Sequence, residues 1–147
     1  MTGNNMNTIG YAGDITPNEA WQMLVDNPRA ILIDVRTPEE WAYVGTPNLD
    51  DADRNLYFVP WAFFPRMTQN PGFVDQVKAE AKPAHDAPIL LLCRSGVRSV
   101  HAARALTEAG FRTCYNILYG FEGDPNEDAH RGTRNGWKFD RLAWHQR

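Results

Sequence analysis

Cysteine is scarce in this chain. Its 147 residues contain two, Cys93 and Cys114, twenty-one positions apart and without CxxC spacing, which excludes a zinc ribbon, a thioredoxin-like redox pair and a disulfide scaffold. Isolated thiols fit a reducing compartment, so a cytoplasmic location is expected. Long apolar runs are missing too: no stretch approaches the roughly 18 residues of a membrane span. The start, MTGNNMNTIGYAGD, has neither a basic nor an apolar segment, so neither secretion by signal peptide nor membrane insertion is expected. Positive charge is not in excess. Fifteen Lys and Arg against 18 Asp and Glu leave a formal net charge of -3, with no basic footprint for nucleic acid or an anionic membrane surface. His85, His101, His130 and His145 are dispersed and form no HExxH, so no metal is expected. Asp124, Asn126 and Asp128 copy the opening of a calcium loop, but Ala129 stands at the glycine position and Asn135 at that of the bidentate glutamate, which argues against calcium. The sequence shows no internal repeat and no low-complexity tract.

What remains is ordinary globular composition, 43% hydrophobic and 22% charged, in a length that suits one domain. We expect a single unit over residues 1–147, with a core at about 13–123 and a C-terminal extension at 124–147. Thr16-Pro17-Asn18-Glu19 is a capping box with proline at the first helical position, predicting a helix from Pro17 to Asp26. Ala30 to Val35 reads AILIDV, a short β-branched apolar run typical of a strand covered on both faces. Thr37-Pro38-Glu39-Glu40 repeats the capping grammar and opens a short helix carrying Trp41 and Val44 and stopping at Gly45. Residues 46–55 read as a polar surface loop, Leu56 to Trp61 as a strand ending at Pro60, and Gly72 to Lys82 as an amphipathic helix. Ile89 to Cys93 is a second buried strand, a helix carrying Ala102, Ala103, Leu106 and Ala109 closes at Gly110, and Thr113 to Leu118 is a last strand. Strands alternating with helices predict an α/β fold, a mostly parallel central sheet with helices on both faces. Chemistry then belongs at the C-terminal strand ends. The tail should pack back through Trp137, Phe139 and Trp144.

The segment Cys93-Arg94-Ser95-Gly96-Val97-Arg98-Ser99 joins a buried strand to a helix start. Backbone N–H groups of such a loop converge on one point, the helix dipole adds positive charge there, and Gly96 lets the chain curl. An anion suits that cradle. Cys93 heads it, and the same field with Arg94 and Arg98 should favour a nucleophilic thiolate. The plainer reading, a cysteine ending a core strand, fits Cys114 better, because that residue has no basic or glycine-rich neighbours.

On these residues the chain resembles the rhodanese (thiosulfate sulfurtransferase) family over roughly Gly13 to Gly123. The loop from Cys93 to Ser99 resembles the family's signature, Ile33-Asp34-Val35-Arg36 with Glu40-Trp41 its upstream strand and helix, and Leu118-Tyr119-Gly120-Phe121 its turn after the last strand. The resemblance implies a rhodanese-like three-layer fold. It implies that Cys93 carries a sulfane sulfur as a persulfide, and that Arg94, Ser95, Gly96, Val97, Arg98 and Ser99 bind the transferred group. Asp34 and Arg36 are expected to support the site as a hydrogen-bonded pair rather than to react. The implied partners are a small anionic sulfur donor, such as thiosulfate, and a thiophilic acceptor: cyanide, a thiol or a protein. No cofactor is implied. The sequence departs from the family at Gly45-Thr46-Pro47-Asn48, where the family often has Gly-His-Ile and a small residue, so the rim of the pocket differs.

Two other readings stay open. Cysteine phosphatases of the dual-specificity type, and arsenate-reductase-like enzymes, also set a cysteine at the head of an anion loop. A phosphatase loop, however, places five residues between cysteine and arginine, and only four separate Cys93 from Arg98. A general acid from Asp50, Asp51 or Asp53 would favour that reading. The other is a noncatalytic rhodanese-like module that binds a partner, which the intact Cys93 argues against. The long segment from Gly120 to Gly136 is expected to border the Cys93 pocket.

Overall fold

A computed structural model describes residues 9–146; most of the stretch read for a signal peptide, residues 1–8, lies outside them. The central sheet has five strands, β1 (Gly13–Ile15), β2 (Ile31–Asp34), β4 (Leu56–Phe58), β7 (Ile89–Leu92) and β8 (Cys114–Ile117), in the order β1-β8-β7-β2-β4. Every neighbouring pair runs parallel. The expected mostly parallel sheet is therefore wholly parallel. Among the described residues four helices accompany it: α1 (Pro17–Asp26), α2 (Pro38–Tyr43), α3 (Phe73–Glu80) and α4 (Arg98–Glu108).

Side chains alternate across each strand, which divides the core in two. On one face Ile33, Ile89, Leu91, Cys93 and Cys114 meet Phe73 and Val77 of α3 and Ala102, Ala103 and Leu106 of α4. On the other, Leu32, Leu90, Leu92 and Ile117 meet Ala20 and Leu24 of α1 and, from the tail, Trp137. Helices thus cover both faces, in three layers. The capping boxes at Thr16 and Thr37 both form, each threonine accepting from the N–H of the glutamate three residues on.

Several boundaries differ from the sequence reading. The strand read over Leu56 to Trp61 ends at Phe58, although Val59 and Trp61 still donate to Asp34 and Val35 carbonyls; Pro60 between them has no N–H to give. The helix read over Gly72 to Lys82 is two residues shorter at its C-terminal end. Residues 46–55 are more than a surface loop: β3 (Thr46–Pro47) pairs with β9 (Trp144–His145), and a 3-10 turn over Asp50–Ala52 buries Leu49 and Ala52 in the second core. Neither β1 nor the hairpin of β5 (Ala62–Phe63) and β6 (Thr68–Gln69) was expected. These pieces are two or three residues long, too short for periodicity to register. The tail does pack back, but through Trp137, which is fully buried, while Phe139 and Trp144 stay 46% and 39% exposed. No helix among the described residues is long and apolar enough to cross a membrane.

Candidate functional site

The parallel order makes β7 the central strand of the sheet, and Cys93 follows its last residue, at the C-terminal end of the strand. Its sulfur is held from two directions. The Gly96 N–H donates to Sγ at 3.1 Å, and the Ser99 hydroxyl lies 3.1 Å from it. Cys93 itself is 1% exposed, beneath a loop whose outer side is Arg94 and the 64% exposed Val97. Ser95 and Gly96 are half-buried. Val97 is the N-cap of α4, with no side-chain cap, so the helix begins directly out of the loop. Gly96 has φ +99°, and a Cβ there would stand 3.1 Å from the Tyr119 nitrogen, so this turn needs glycine on both counts.

The Gly120 turn locks the loop from behind. Phe121 donates to the Cys93 carbonyl at 2.8 Å and Glu122 to that of Arg94 at 3.0 Å. Gly120 has φ +61°, and a Cβ on it would fall 2.3 Å from the Cys93 carbonyl oxygen. Only the first residues of the 120–136 segment approach the loop in this way. From Asn126 on, the segment closes on itself: His130 and Asp128 donate to Asn126 Oδ1, Arg131 donates to the Gly123 carbonyl, and Trp137 returns to the Gly120 carbonyl.

Arg98 is not a free cation. Its guanidinium donates to both oxygens of Glu40, at 2.7 and 2.9 Å. Burial pushes the Glu40 carboxyl up, but the hydrogen bonds and charge of Arg98, helped by the Thr37 N–H and Arg36, outweigh it and hold Glu40 below its ordinary value. The sequence reading set Glu40 in a capping box and in the family's upstream motif but missed its pairing with Arg98, because the two residues lie 58 positions apart. Asp34 and Arg36 are fully buried and joined by paired hydrogen bonds; Arg36 also donates to the Gly45 carbonyl and stacks 4.3 Å over the Phe121 ring. Asn116 was missed as well. It accepts from Ser99 and donates to Asp14, and its only sequence signal is a polar residue inside an otherwise apolar strand.

A cavity of about 530 Å³ opens beside the loop, lined by Arg94, Arg98, Glu40, Glu122 and, from the β5–β6 hairpin, Phe64 and Met67. The larger cavity, about 640 Å³, is elsewhere, between α2 and the edge strand β4. Asp50 and Asp53 line the cavities on that side and not the one beside Arg94 and Arg98. Cys114 is fully buried, and burial raises its thiol pKa to about 12. Among the described residues no group of three or more His, Cys, Asp or Glu side chains is placed to hold a metal ion.

Comparison with known proteins agrees with this architecture. The chain is 40% identical, over 89% of its length and 95% of the relative's, to an uncharacterized protein of Rickettsia rickettsii. It is 30% identical, over 75% of its length and 83% of the relative's, to the thiosulfate sulfurtransferase GlpE of Actinobacillus pleuropneumoniae. Among solved structures, Rv0390 from M. tuberculosis superposes with a TM-score of 0.87 at 46% identity, over 93% of this chain and 99% of that one. The model of the rhodanese-like domain matches residues 16–124, a span holding the four helices, the loop from Cys93 to Ser99 and all of the central sheet but β1. The chain belongs to the rhodanese-like domain family.

Proposed function

We propose that this protein is a sulfurtransferase that carries a sulfane sulfur on Cys93. The observation that carries the reading is the Gly96 N–H aimed at Cys93 Sγ at 3.1 Å, from a loop with four residues between Cys93 and Arg98. A cradle this short suits a single sulfur atom better than a tetrahedral phosphoryl group. The Cys93 thiolate attacks the outer sulfur of thiosulfate or a similar donor; one S–S bond forms, the bond to the sulfonate sulfur breaks, and sulfite leaves with the electron pair. A thiophilic acceptor, cyanide or a thiolate, then attacks the outer sulfur of the persulfide and returns Cys93 as thiolate. Loop amides steady the negative terminal sulfur. Arg94, exposed and free of a carboxylate partner among the described residues, meets the anionic donor, while Arg98, tied to Glu40, holds the loop in shape. Ser95, Gly96, Val97 and Ser99 complete the binding loop.

The reading treats residues 1–147 as one unit with a C-terminal extension, acting in the cytoplasm. Two buried, unpaired cysteines support a reducing compartment. The test is intact mass after mixing the reduced protein with thiosulfate and removing excess donor, with Cys93→Ser in parallel. A gain of one sulfur, absent in the variant and discharged by cyanide, is the expected result. No gain with thiosulfate or with an organic persulfide donor, together with turnover of an aryl phosphate, would replace this reading by the phosphatase one.

A further inference from the structure

A chain of side-chain hydrogen bonds reaches Cys93 from β8 and β1. Cys93 Sγ lies 3.1 Å from Ser99 Oγ, Ser99 donates to Asn116 Oδ1, Asn116 Nδ2 donates to Asp14 Oδ1 at 3.0 Å, and the Tyr11 hydroxyl donates to the same oxygen at 2.8 Å. Cys93, Ser99 and Asn116 are buried, at 1%, 0% and 2% exposure, whereas Asp14 is at the surface. Donor chemistry fixes the direction of every link. An ionised Asp14 only accepts, so Asn116 turns its amino group to Asp14 and its carbonyl oxygen to Ser99. That oxygen also only accepts. Ser99 therefore spends its one proton on Asn116 and shows Cys93 a lone pair. A lone pair receives a proton from a thiol and repels a thiolate.

We propose that Asn116 and Asp14 are positioning residues that hold Ser99 as an acceptor toward Cys93, and so set how readily Cys93 gives up its proton. The sulfur then has two opposed neighbours. The Gly96 N–H favours the thiolate and the Ser99 lone pair favours the thiol. When Cys93 ionises, its proton passes to solvent, and the Ser99 hydroxyl turns about its C–O bond, breaking the link to Asn116 Oδ1 and making one to the sulfur. Asn116 is left with a buried acceptor lacking its donor, which opposes the change. Tyr11, its phenol pKa raised to about 12 by burial and the Asp14 hydrogen bond, stays a donor and keeps the far end of the chain in place. The charged or titratable groups on the elements around the sulfur are Arg94 of the loop, Arg98 and the exposed His101 of α4, Glu40 of α2, Asp34 at the end of β2 and Arg36 just after it. None belongs to the chain of hydrogen bonds.

The inference rests on the proposed function only in taking Cys93 as the reacting thiol, and alkylation tests it without any sulfur donor, so failure to form a persulfide and failure of this inference read out separately. Iodoacetamide modification of Cys93 in the full-length protein is followed against pH, with the modified site located by mass spectrometry. Asn116→Leu should move the midpoint of that profile down by about one pH unit, so that alkylation below the midpoint is about tenfold faster. Asp14→Asn, which frees the Asn116 amide to rotate, should move it the same way by less. In a Ser99→Ala background both shifts should vanish. An unmoved midpoint in Asn116→Leu that still unfolds cooperatively would overturn the inference, and so would a shift of equal size with Ser99 absent, which is what a field or packing effect gives. If Asn116→Leu does not fold, the exposed Asp14→Asn decides alone: a shift that persists without Ser99 is a bare charge effect and overturns it.

Discussion

Arg98 at the start of α4 grips Glu40 of α2 through two hydrogen bonds, at 2.7 and 2.9 Å, and so ties the end of the Cys93 loop to the helix that follows β2. Both side chains are largely buried, 17% and 18% exposed. The pair is thus a clamp on the loop before it is a source of charge.

Glu40→Gln keeps an acceptor for the Thr37 N–H but removes the charge facing Arg98. It should destabilise the fold by about 1–3 kcal/mol at neutral pH. The sign of its pH dependence follows from Glu40 lying below its ordinary value in the folded state: the stabilisation is complete above the unfolded carboxyl value and is lost as pH falls through the lower, folded one. Melting temperatures of the two proteins should therefore converge in acid; a constant gap across that window would count against the clamp.

Asp34→Ala leaves the Arg36 guanidinium buried without its counter-ion. A loss of about 3–5 kcal/mol is expected, larger than for Glu40→Gln, because neither partner of this pair touches solvent. Urea unfolding monitored by tryptophan fluorescence would measure it.

Gly120→Ala sets a methyl group against the Cys93 carbonyl, at a position with φ +61°. Strained backbone of this kind costs about 1–3 kcal/mol, and here relief can come only by moving the loop. Sulfur loading of Cys93 should fall further than stability does. Equal thiosulfate turnover in the variant and the parent would show that the turn does not hold the loop.

Native alkylation should mark Cys93 and spare Cys114. Burial that raises the Cys114 pKa to about 12 leaves almost no thiolate at neutral pH, whereas Cys93 has the Gly96 N–H aimed at its sulfur. Peptide mapping after brief iodoacetamide treatment checks this, with urea-unfolded protein as the control in which both react.

The helix starts were legible because they are local. Each capping box is satisfied within four residues, Thr16 by Glu19 and Thr37 by Glu40, and needs nothing from the rest of the chain. The buried strands at Ile31–Asp34 and Ile89–Leu92 were legible for a related reason, since only strands covered on both faces carry unbroken apolar runs. What escaped was short or cross-chain. The Gly13–Ile15 strand is three residues long and becomes a strand only by pairing with Cys114–Ile117, and Thr46–Pro47 only by meeting Trp144–His145.

The sequence by itself determined a strand, a glycine-bearing loop and a helix around Cys93, because backbone freedom at Gly96 and the apolar run before Cys93 are properties of neighbours in the chain. The tertiary structure alone decided what faces that sulfur and its loop. Glu40 lies 58 positions from Arg98, and Asp14 lies 102 from Asn116. Such pairs meet because the sheet order sets β8 between β1 and β7, and β2 on the other side of β7, an arrangement written in the packing of two cores and in no local pattern of residues.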